Sequence, residues 1–551
     1  MKTKILSLVT ITSIVFFTSC ASEDTSNKQS EHEQDTKGLT SFVEEDHATR
    51  TTAEYDGSGL NFYWTEGDRL WVNTGGTLIQ DARNNIDSKL ENNPANPSAV
   101  QRVAKAQFWF NGTFTANSYP VRYTGKNGVK DKITIKANQM QLIPNDASHI
   151  AEDGDFGVAT ATKLAGTNQY HFTLDHKAAY ITFMPYSSVI AGVNLHKIRV
   201  FTDNSSDALT GTFDIADDGT LSNPASTSNS VKLDLKEDEA SNSSFFDVPS
   251  TRTNSTITAT MVVIPGTYHN VSIEYTVRDM VTGVTAIITK TYPSVTFTAG
   301  LNKKVETDLQ VTSYPCNLYY QWDAQENYWA GYEWGSANPT QPTLKNERNN
   351  NDAPKSTVHS SAHTTRDFND LLGYDDDTGT APAVLPTTSH FKNLPNVNEM
   401  LWYIRYGDPH WDNTTVWATM GHLYTGGMWF KKRSKISRYN ANEDFLGRDN
   451  TRSNTFVYDA ILSFSEGKPS NLSDYFYLPA LGMYGDGQFQ GIGEHGVYWA
   501  STPCPPESVN KNSSYILAFT SFYVYVMKGN RHVGYRLWDK NNEDQYRPNG
   551  L

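Results

Sequence analysis

The chain has 551 residues, which is enough for about three domains of ~150 residues, each with its own core. Its formal net charge of -14 is not offset by any basic stretch, which argues against nucleic-acid binding because phosphates require a basic surface. Hydrophobic residues make up 38% and aromatic residues 12%, in a mixture rich in Thr, Asn, Gly and Tyr that favours β-structure.

The first 19 residues predict a secretory signal peptide. Lysines precede the apolar run Ile5–Phe17, and small residues lead up to Cys20. A cysteine at this place resembles a bacterial lipobox, and residues 20–24 resemble the acidic export tag of Bacteroidota surface lipoproteins. The resemblance implies lipidation of Cys20 and an outer-membrane lipoprotein precursor at the cell surface. An ordinary signal peptide with an incidental cysteine is the alternative.

Residues 25–45 are polar and charged with few large apolar side chains, so we predict that residues 20–50 form a lipidated tether or prosegment. The segment ends at Arg50, followed by Thr51. An arginine in such a segment is accessible to a trypsin-like protease. An unremarkable linker arginine is the simpler interpretation when the segment is taken alone.

The residues after Arg50 favour processing. Leu60–Trp64 predicts a strand, followed by a turn and a second strand at 70–72, in the pattern RTT…G…W..GD.LWV. This pattern resembles the start of type V fimbrillins of Bacteroidota. In that family a lipoprotein precursor is cut after an arginine here, which removes a strand and opens a groove for a neighbour's donor strand. The resemblance implies cleavage after Arg50, a mature chain beginning at Thr51, and other fimbrial subunits as partners.

Residues 51–184 are predicted to form a first β-sandwich. Strand signals occur at Ala106–Phe110, Val129–Ile135, Met140–Ile143 and Tyr170–Leu174, with a hairpin signal at Asn111-Gly112. The segment HKAAYITF at 176–183 resembles the join between two fimbrillin domains. We expect His176 in this join to be structural rather than a ligand.

Residues 185–312 predict a second β-sandwich, because strand signals recur at intervals of ~8–12 residues. The segments MVVIPGTY at 261–268 and FTAGLNKKVETDLQV at 297–311 again resemble fimbrillins. The resemblance implies a mainly β chain with two tandem fimbrillin, transthyretin-like sandwiches.

The composition changes near Cys316, since nine of the twelve tryptophans follow it. We therefore predict a third domain at 313–551. Its residues Leu394–Tyr406 have the apolar spacing of a helix, with Asn396 as the cap. Near the C-terminus, strand signals at 515–519 and 522–527 precede a turn signal at Lys528–Asn530, which predicts a hairpin into 533–538.

The order LPALG…GIG…G.YWASTP between Tyr475 and Trp538, followed by the aromatic strands, resembles the FISUMP-type domain. The resemblance implies an α+β, C-type-lectin-like fold and a subunit at the end of a fimbria.

Two further features of residues 313–551 bear on sites. Cys316 and Cys504 could form a disulfide that closes a very long loop, but the sequence does not establish whether they meet. Aromatic side chains can stack on sugar rings, although most in this region should be core. The candidates to face a ligand are Trp322, Trp329, Trp334 and Trp411.

No catalytic constellation is evident, and we predict neither an enzyme nor a cofactor. His359 and His363 have the spacing of helical zinc ligands, but no Glu follows His359 and the segment reads as a loop. Asp375–Asp377 could hold calcium, although a solvated acidic loop is the preferred interpretation. The calcium and sugar motif of C-type lectins is absent, so we predict no metal. A glycan hydrolase is the least favoured alternative.

The sequence DKNNEDQYRPNGL at 539–551 is polar and lacks the alternation of a donor strand. We therefore predict a tip adhesin, which accepts a neighbour's strand by β-augmentation and meets a host or bacterial surface receptor such as a glycan. The main alternative is a surface lipoprotein that binds glycans through its C-terminal domain and does not polymerise.

Overall fold

The computed structural model describes residues 36–45, 52–56, 59–126, 128–237, 244–252, 257–354, 365–368, 386–453, 455–505 and 513–549. Within these ranges the protein is mainly β.

The strands and helices follow in chain order. The first eighteen strands are β1 (Thr40–Glu44), β2 (Thr52–Tyr55), β3 (Leu60–Tyr63), β4 (Trp71–Asn73), β5 (Leu78–Gln80), β6 (Arg83–Asn84), β7 (Gln107–Phe110), β8 (Ser118–Tyr123), β9 (Lys132–Ile135), β10 (Asn138–Met140), β11 (Gly157–Lys163), β12 (Gln169–Phe172), β13 (Asp175–His176), β14 (Ala179–Tyr186), β15 (Val193–Thr202), β16 (Thr210–Ile215), β17 (Leu221–Ser228) and β18 (Ser230–Asp234). The remaining strands are β19 (Ala259–Val263), β20 (Gly266–Asp279), β21 (Thr285–Phe297), β22 (Asn302–Asp308), β23 (Tyr319–Tyr320), β24 (His410–Trp411), β25 (Trp417–Thr419), β26 (His422–Tyr424), β27 (Gly427–Lys431), β28 (Asp459–Ile461), β29 (Ser465–Glu466), β30 (Tyr475–Pro479), β31 (Leu481–Gly485), β32 (Gln488–Ile492), β33 (Gly496–Pro503), β34 (Ser513–Phe519), β35 (Val524–Asn530) and β36 (Tyr535–Arg536). The α-helices are α1 (Ile150–Asp153), α2 (Ser389–Lys392) and α3 (Val397–Tyr406), and 3₁₀ turns lie at Asp87–Lys89, Arg433–Lys435, Leu472–Asp474 and Glu543–Tyr546.

The first sheet curls round on itself. Its strand order is β5-β4-β8-β11-β12-β1-β7-β6, with β13 paired to β11. The two end strands follow each other in the chain and are joined by Asp81 and Ala82, whose N–H groups donate to Leu70 O (3.0 Å) and Trp109 O (2.7 Å). The curled sheet encloses a largely aromatic core, and together they form the first region of the protein. β1 lies inside this sheet rather than at an edge.

The second region has two main sheets, β10-β18-β15-β20-β21 and β19-β14-β22, around one aliphatic core. β9 and β10 lie before residue 184 in the chain, yet they pair with β16 and β18. The predicted boundary at 184/185 falls inside β14. A smaller cluster that includes Ala53, Phe62, Ile133 and Tyr180 packs between the two regions, so strand pairing and core both run across the join.

The C-terminal region contains a six-stranded sheet, β23-β36-β33-β34-β35-β28, and a four-stranded sheet, β29-β24-β27-β30. α3 lies over this core with eight of its ten residues buried. The predicted cap is confirmed: the Asn396 side chain accepts from Glu399 N (2.9 Å), and the Glu399 carboxylate accepts from Asn396 N (2.8 Å).

The predicted turn near the C-terminus is wrong in position. β34 and β35 form an antiparallel pair and reverse at 520–523, where Thr520 N donates to Tyr523 O (2.9 Å). Lys528–Asn530, which was predicted to be the turn, continues β35. β36 instead pairs with β23 and β33, because Tyr535 and Arg536 are buried against those strands.

The hairpin β25–β26 joins the C-terminal region to the second region. Its Ala418 and Leu423 are 0% exposed and belong to the core of the second region. The buried carboxylate of Asp279 accepts from Leu423 N (2.9 Å) and lies 3.2 Å from His422 Nδ1. These contacts lower the pKa of Asp279 despite its burial.

Candidate functional site

The structure contradicts the predicted tether at residues 40–44, which form strand β1. β1 runs antiparallel to β7, with Phe42 opposite Phe108, and parallel to β12, with Phe42 opposite Tyr170. The ladder continues past it, since Glu44 N donates to Ala106 O (3.3 Å) and Glu45 N donates to Phe172 O (3.1 Å). The prediction failed because polar neighbours masked the short alternating sequence TSFVE.

Phe42 fills an aromatic pocket and is 0% exposed. Its ring stacks on Tyr170 at a centroid distance of 4.7 Å and meets Phe110 (4.9 Å) and Phe114 (5.3 Å) edge-on. Such stacked and edge contacts add to the free energy gained from burial. Phe42 is therefore the main apolar anchor of β1.

The other two inward side chains of β1 are polar. Thr40 is 2% exposed, and its hydroxyl accepts from Asn168 Nδ2 at 3.5 Å. Glu44 is 1% exposed, and its Oε2 accepts a hydrogen bond from Trp64 Nε1. The inward face of β1 thus presents a hydroxyl, a phenyl ring and a carboxylate in turn.

The outward side chains of β1 are only partly covered. Ser41 and Val43 are half-buried, and Ser41 Oγ accepts from Gln107 Nε2 (2.6 Å). Just past the strand, Glu45 pairs with His171 at the surface. One face of this five-residue strand is therefore fully buried, whereas the other is half-buried.

β1 and β2 belong to different sheets. β2 pairs with β3, and Ala53 of β2 packs in the cluster between the first and second regions. Residues 46–51 connect the two strands and lie outside the described residues, together with the predicted processing site Arg50/Thr51 and the predicted lipidation site Cys20. A cut in this connection would leave β1 attached to the rest of the protein only through its non-covalent contacts.

The possible disulfide between Cys316 and Cys504, which the sequence left open, is not formed in the structure. Cys316 lies in a loop, where its Sγ donates to Trp334 O at 3.6 Å, and burial raises the pKa of its thiol. Cys504 follows β33, and its N–H donates to Ser513 O (3.2 Å).

Most of the predicted ligand-facing tryptophans are core residues. Trp322 and Trp329 are 0% exposed and Trp411 is 8% exposed, which leaves no ring face for a ligand. Trp322 Nε1 donates to Ala500 O (3.0 Å) within the core. Trp334 is 44% exposed, and its ring lies beside the β25–β26 hairpin at Gly421. Aromatic richness in the sequence did not distinguish core from surface.

An open concavity with a volume of about 560 Å³ lies on the outer side of α3. Its wall includes Tyr406 and Tyr458, which are 55% and 61% exposed, and Phe445 packs against Tyr406 at a centroid distance of 5.8 Å. Arg405 Nε donates to Asp459 Oδ2 (2.7 Å) across the same concavity. Exposed rings beside planar charged groups can bind a sugar or a polar peptide. Sequence reasoning missed this surface because its residues come from separate segments.

His176 is buried, as expected for a structural residue. Its ring stacks on Phe62 at 4.1 Å, and its Nδ1 lies 2.9 Å from Asp155 Oδ1. Tyr180 Oη donates to the same carboxylate oxygen (2.5 Å), and burial together with this carboxylate raises the pKa of Tyr180 well above its ordinary value. His176, Asp155 and Tyr180 are all closed off from solvent, and Phe62 and Tyr180 belong to the cluster between the regions.

The last described residues are packed against the protein. The Tyr546 side chain is 1% exposed and donates to Leu537 O (2.6 Å), while Tyr314 Oη donates to Tyr546 O (2.6 Å). Asn549 N donates to Thr312 Oγ1 (2.7 Å). The segment 539–549 is therefore occupied in intramolecular contacts and is not a free strand.

Among the described residues, no group of three or more His, Cys, Asp or Glu side chains could hold a metal ion. The histidine pair 359/363 and the aspartates 375–377 lie outside them. In the part of the chain that the structure covers, no helix has the length and apolar character needed to cross a bilayer.

No protein-family model and no curated protein matches the chain. Solved structures that resemble it include a candidate cell adhesion protein from Bacteroides ovatus, with 12% identity over 49% of this chain and 93% of that chain and a TM-score of 0.27. A fimbrial assembly protein from Parabacteroides distasonis has 14% identity over 49% of this chain and 90% of that chain, with a TM-score of 0.25. A fimbrial protein from Bacteroides ovatus has 12% identity over 89% of this chain and 99% of that chain, with a TM-score of 0.23.

Proposed function

We propose that the protein is a subunit of a cell-surface fimbria that accepts a neighbour's strand in the place of β1. The observation that carries the proposal is the position of β1: a short strand inside a curled sheet, linked to the rest of the chain only through residues 46–51. A cut after Arg50 leaves β1 held only by non-covalent contacts, and its departure then opens an extended groove between β7 and β12. An incoming strand then restores the backbone hydrogen bonds of both neighbours.

The precursor form in this proposal is an exported lipoprotein anchored through Cys20, and β1 occupies the groove until processing. A self-supplied strand keeps the two edges covered, which prevents premature pairing between copies. The function is therefore assembly rather than catalysis.

We place the subunit at the tip of the fibre. A shaft subunit must both accept and donate a strand, and the described segment 539–549 does not supply a free donor, because Tyr314 and Thr312 bind it. The C-terminal region, which the sequence resemblance relates to C-type-lectin-like folds, then faces outward and meets a receptor.

The N-terminus of the protein recovered from the cell surface tests the processing step by mass spectrometry. The proposal expects a chain that begins at Thr51. A chain that still begins at acylated Cys20 contradicts groove opening. Antibodies to residues 313–549 test the position of the subunit in the fibre. Label at fibre ends is expected, and label along the whole shaft contradicts the tip position.

The concavity beside α3 favours a second candidate function, a surface lipoprotein that binds glycans without polymerising. Binding of soluble polysaccharide to the full chain should then fall with Tyr406→Ala or Tyr458→Ala and persist with Trp334→Ala, which removes an exposed ring elsewhere. Glycan binding together with an N-terminus at Cys20 and no fibres on the cell would favour this candidate over the first.

A further inference from the structure

The groove that β1 occupies is not uniformly apolar. Thr40, Phe42 and Glu44 point inward and are 2%, 0% and 1% exposed. A generic apolar strand would carry aliphatic side chains at all three places. The surroundings of Phe42 and Glu44 show why such a strand would fit poorly.

Trp64 supplies a hydrogen-bond donor inside the groove. The residue is 0% exposed, and its ring is held by edge contacts with Phe108 (5.0 Å) and Tyr123 (5.7 Å). An indole N–H can only donate, and these contacts fix its direction toward Glu44 Oε2. When β1 leaves, this buried donor loses the oxygen that accepts its hydrogen bond.

The pocket of Phe42 selects for a flat ring. Tyr170 lies parallel to it at an interplanar angle of 11°, while Phe110 and Phe114 meet it edge-on at 69° and 73°. An aliphatic side chain fills part of this volume but cannot stack on Tyr170. The position of Phe42 and the position of Glu44, which faces the Trp64 donor, are two residues apart on one face of β1.

Building on the proposed function, we propose that the strand that replaces β1 carries an aromatic residue at the place of Phe42 and a glutamate or glutamine two positions on, at the place of Glu44. The partner is an extended segment of another polypeptide with the pattern aromatic–x–Glu/Gln. Its side-chain oxygen accepts from Trp64, whereas a strand with an aliphatic residue there leaves the indole N–H unsatisfied. That loss corresponds to an affinity on the order of 10–100-fold lower.

Peptide competition on the full chain tests this pattern. Residues 46–51 are replaced by the recognition sequence of a specific protease, the chain is cut, and uptake of a labelled Thr36–Glu45 peptide is measured. Unlabelled peptides with Phe42→Ala, Glu44→Gln or Glu44→Leu then compete with it. The matched control is Glu45→Leu, the same change at the neighbouring, surface-exposed carboxylate.

We expect the Glu44→Gln and Glu45→Leu peptides to compete within about threefold of the native peptide, because the oxygen at position 44 is kept and an exposed ion pair contributes little. The Glu44→Leu peptide should be about 10–100-fold weaker. The Phe42→Ala peptide should be weaker still, by more than about 100-fold. On a chain with Trp64→Phe, the ratio between the native and Glu44→Leu peptides should fall toward one.

The outcomes separate the two proposals. Equal competition by the native and Glu44→Leu peptides overturns the pattern but leaves strand exchange intact. A Glu44→Leu penalty that persists on the Trp64→Phe chain overturns the role of Trp64. Failure of the labelled peptide to enter the cut chain overturns the proposed function, and the pattern falls with it.

Discussion

β1 and β34 occupy equivalent positions in their sheets but differ in how they are held. Each lies between two hydrogen-bonded neighbours, β1 between β7 and β12, and β34 between β33 and β35. β1 buries alternate residues, whereas six of the seven residues of β34 are buried. Ile516 and Leu517 of β34 enter different core clusters on opposite faces of the sheet. A central position in a sheet thus does not by itself determine how many faces of a strand are buried.

The largest expected effect concerns the anchor of β1. Phe42→Ala in the uncut chain should lower the free energy of unfolding of the first region by about 3–5 kcal/mol, because it empties an aromatic pocket. Thermal unfolding measures the loss, and Phe522→Ala, at a 77% exposed phenylalanine, is the matched control. Once residues up to 50 have been removed, the native and variant proteins should unfold alike. Equal losses for the two variants would contradict the role of Phe42.

Substitution on either face of β34 should lower the free energy of unfolding by nearly as much. Ile516→Ala and Leu517→Ala should each lower the free energy of unfolding of the C-terminal region by about 2–5 kcal/mol. A cut between residues 46 and 51 should not alter either value, because β34 is distant from that connection in the chain. Denaturant unfolding of cut and uncut chains checks this expectation. If either variant left the free energy of unfolding unchanged, β34 would be held on one face only, as β1 is, and the contrast would be lost.

Acid should weaken the join between the first and second regions through His149, which lies beside Ile150 of the cluster between them. The Nδ1 of His149 is buried without a partner and its Nε2 lies 2.9 Å from Thr260 O, and burial lowers its pKa from 6.5 to about 4. The unfolded chain binds the proton more readily, so this contribution is complete above pH 6.5 and is lost as the pH falls toward 4. The expected slope is at most about 1.4 kcal/mol per pH unit.

Unfolding of the first and second regions measured between pH 7 and pH 4, with and without His149→Gln, isolates this contribution from that of the carboxylates. A variant with the same pH slope as the native protein would show that His149 does not cause it.

The smallest expected effect comes from a valine-to-threonine change in β1, compared with the same change in β35, the neighbour of β34. Val43→Thr, on the half-buried outward face of β1, should change the free energy of unfolding by less than about 0.5 kcal/mol. Val526→Thr in β35, at a 0% exposed position opposite Leu517, should cost about 1–3 kcal/mol because it buries a hydroxyl. Similar values at the two sites would mean that the outward face of β1 is also covered.

The sequence predicted features whose signals are local. Asn396 and Glu399 are three residues apart, so the cap of α3 could be identified, and the mainly β character follows from composition and alternation. The neighbours of Phe42 come from residues 108–172, and no local pattern indicates that they converge on residue 42. The polar context of β1 led to a predicted tether, although TSFVE alternates. Burial of Trp322, Trp329 and Trp411 likewise depends on contacts between distant segments.

The β25–β26 hairpin has a mechanical consequence. Because Ala418 and Leu423 are embedded in the core of the second region, a pull on the C-terminal region is carried into that core instead of into a hinge. Bending at this joint would first require extraction of both side chains and rupture of the Leu423–Asp279 hydrogen bond. The C-terminal region and the second region should therefore bear load as one rigid unit.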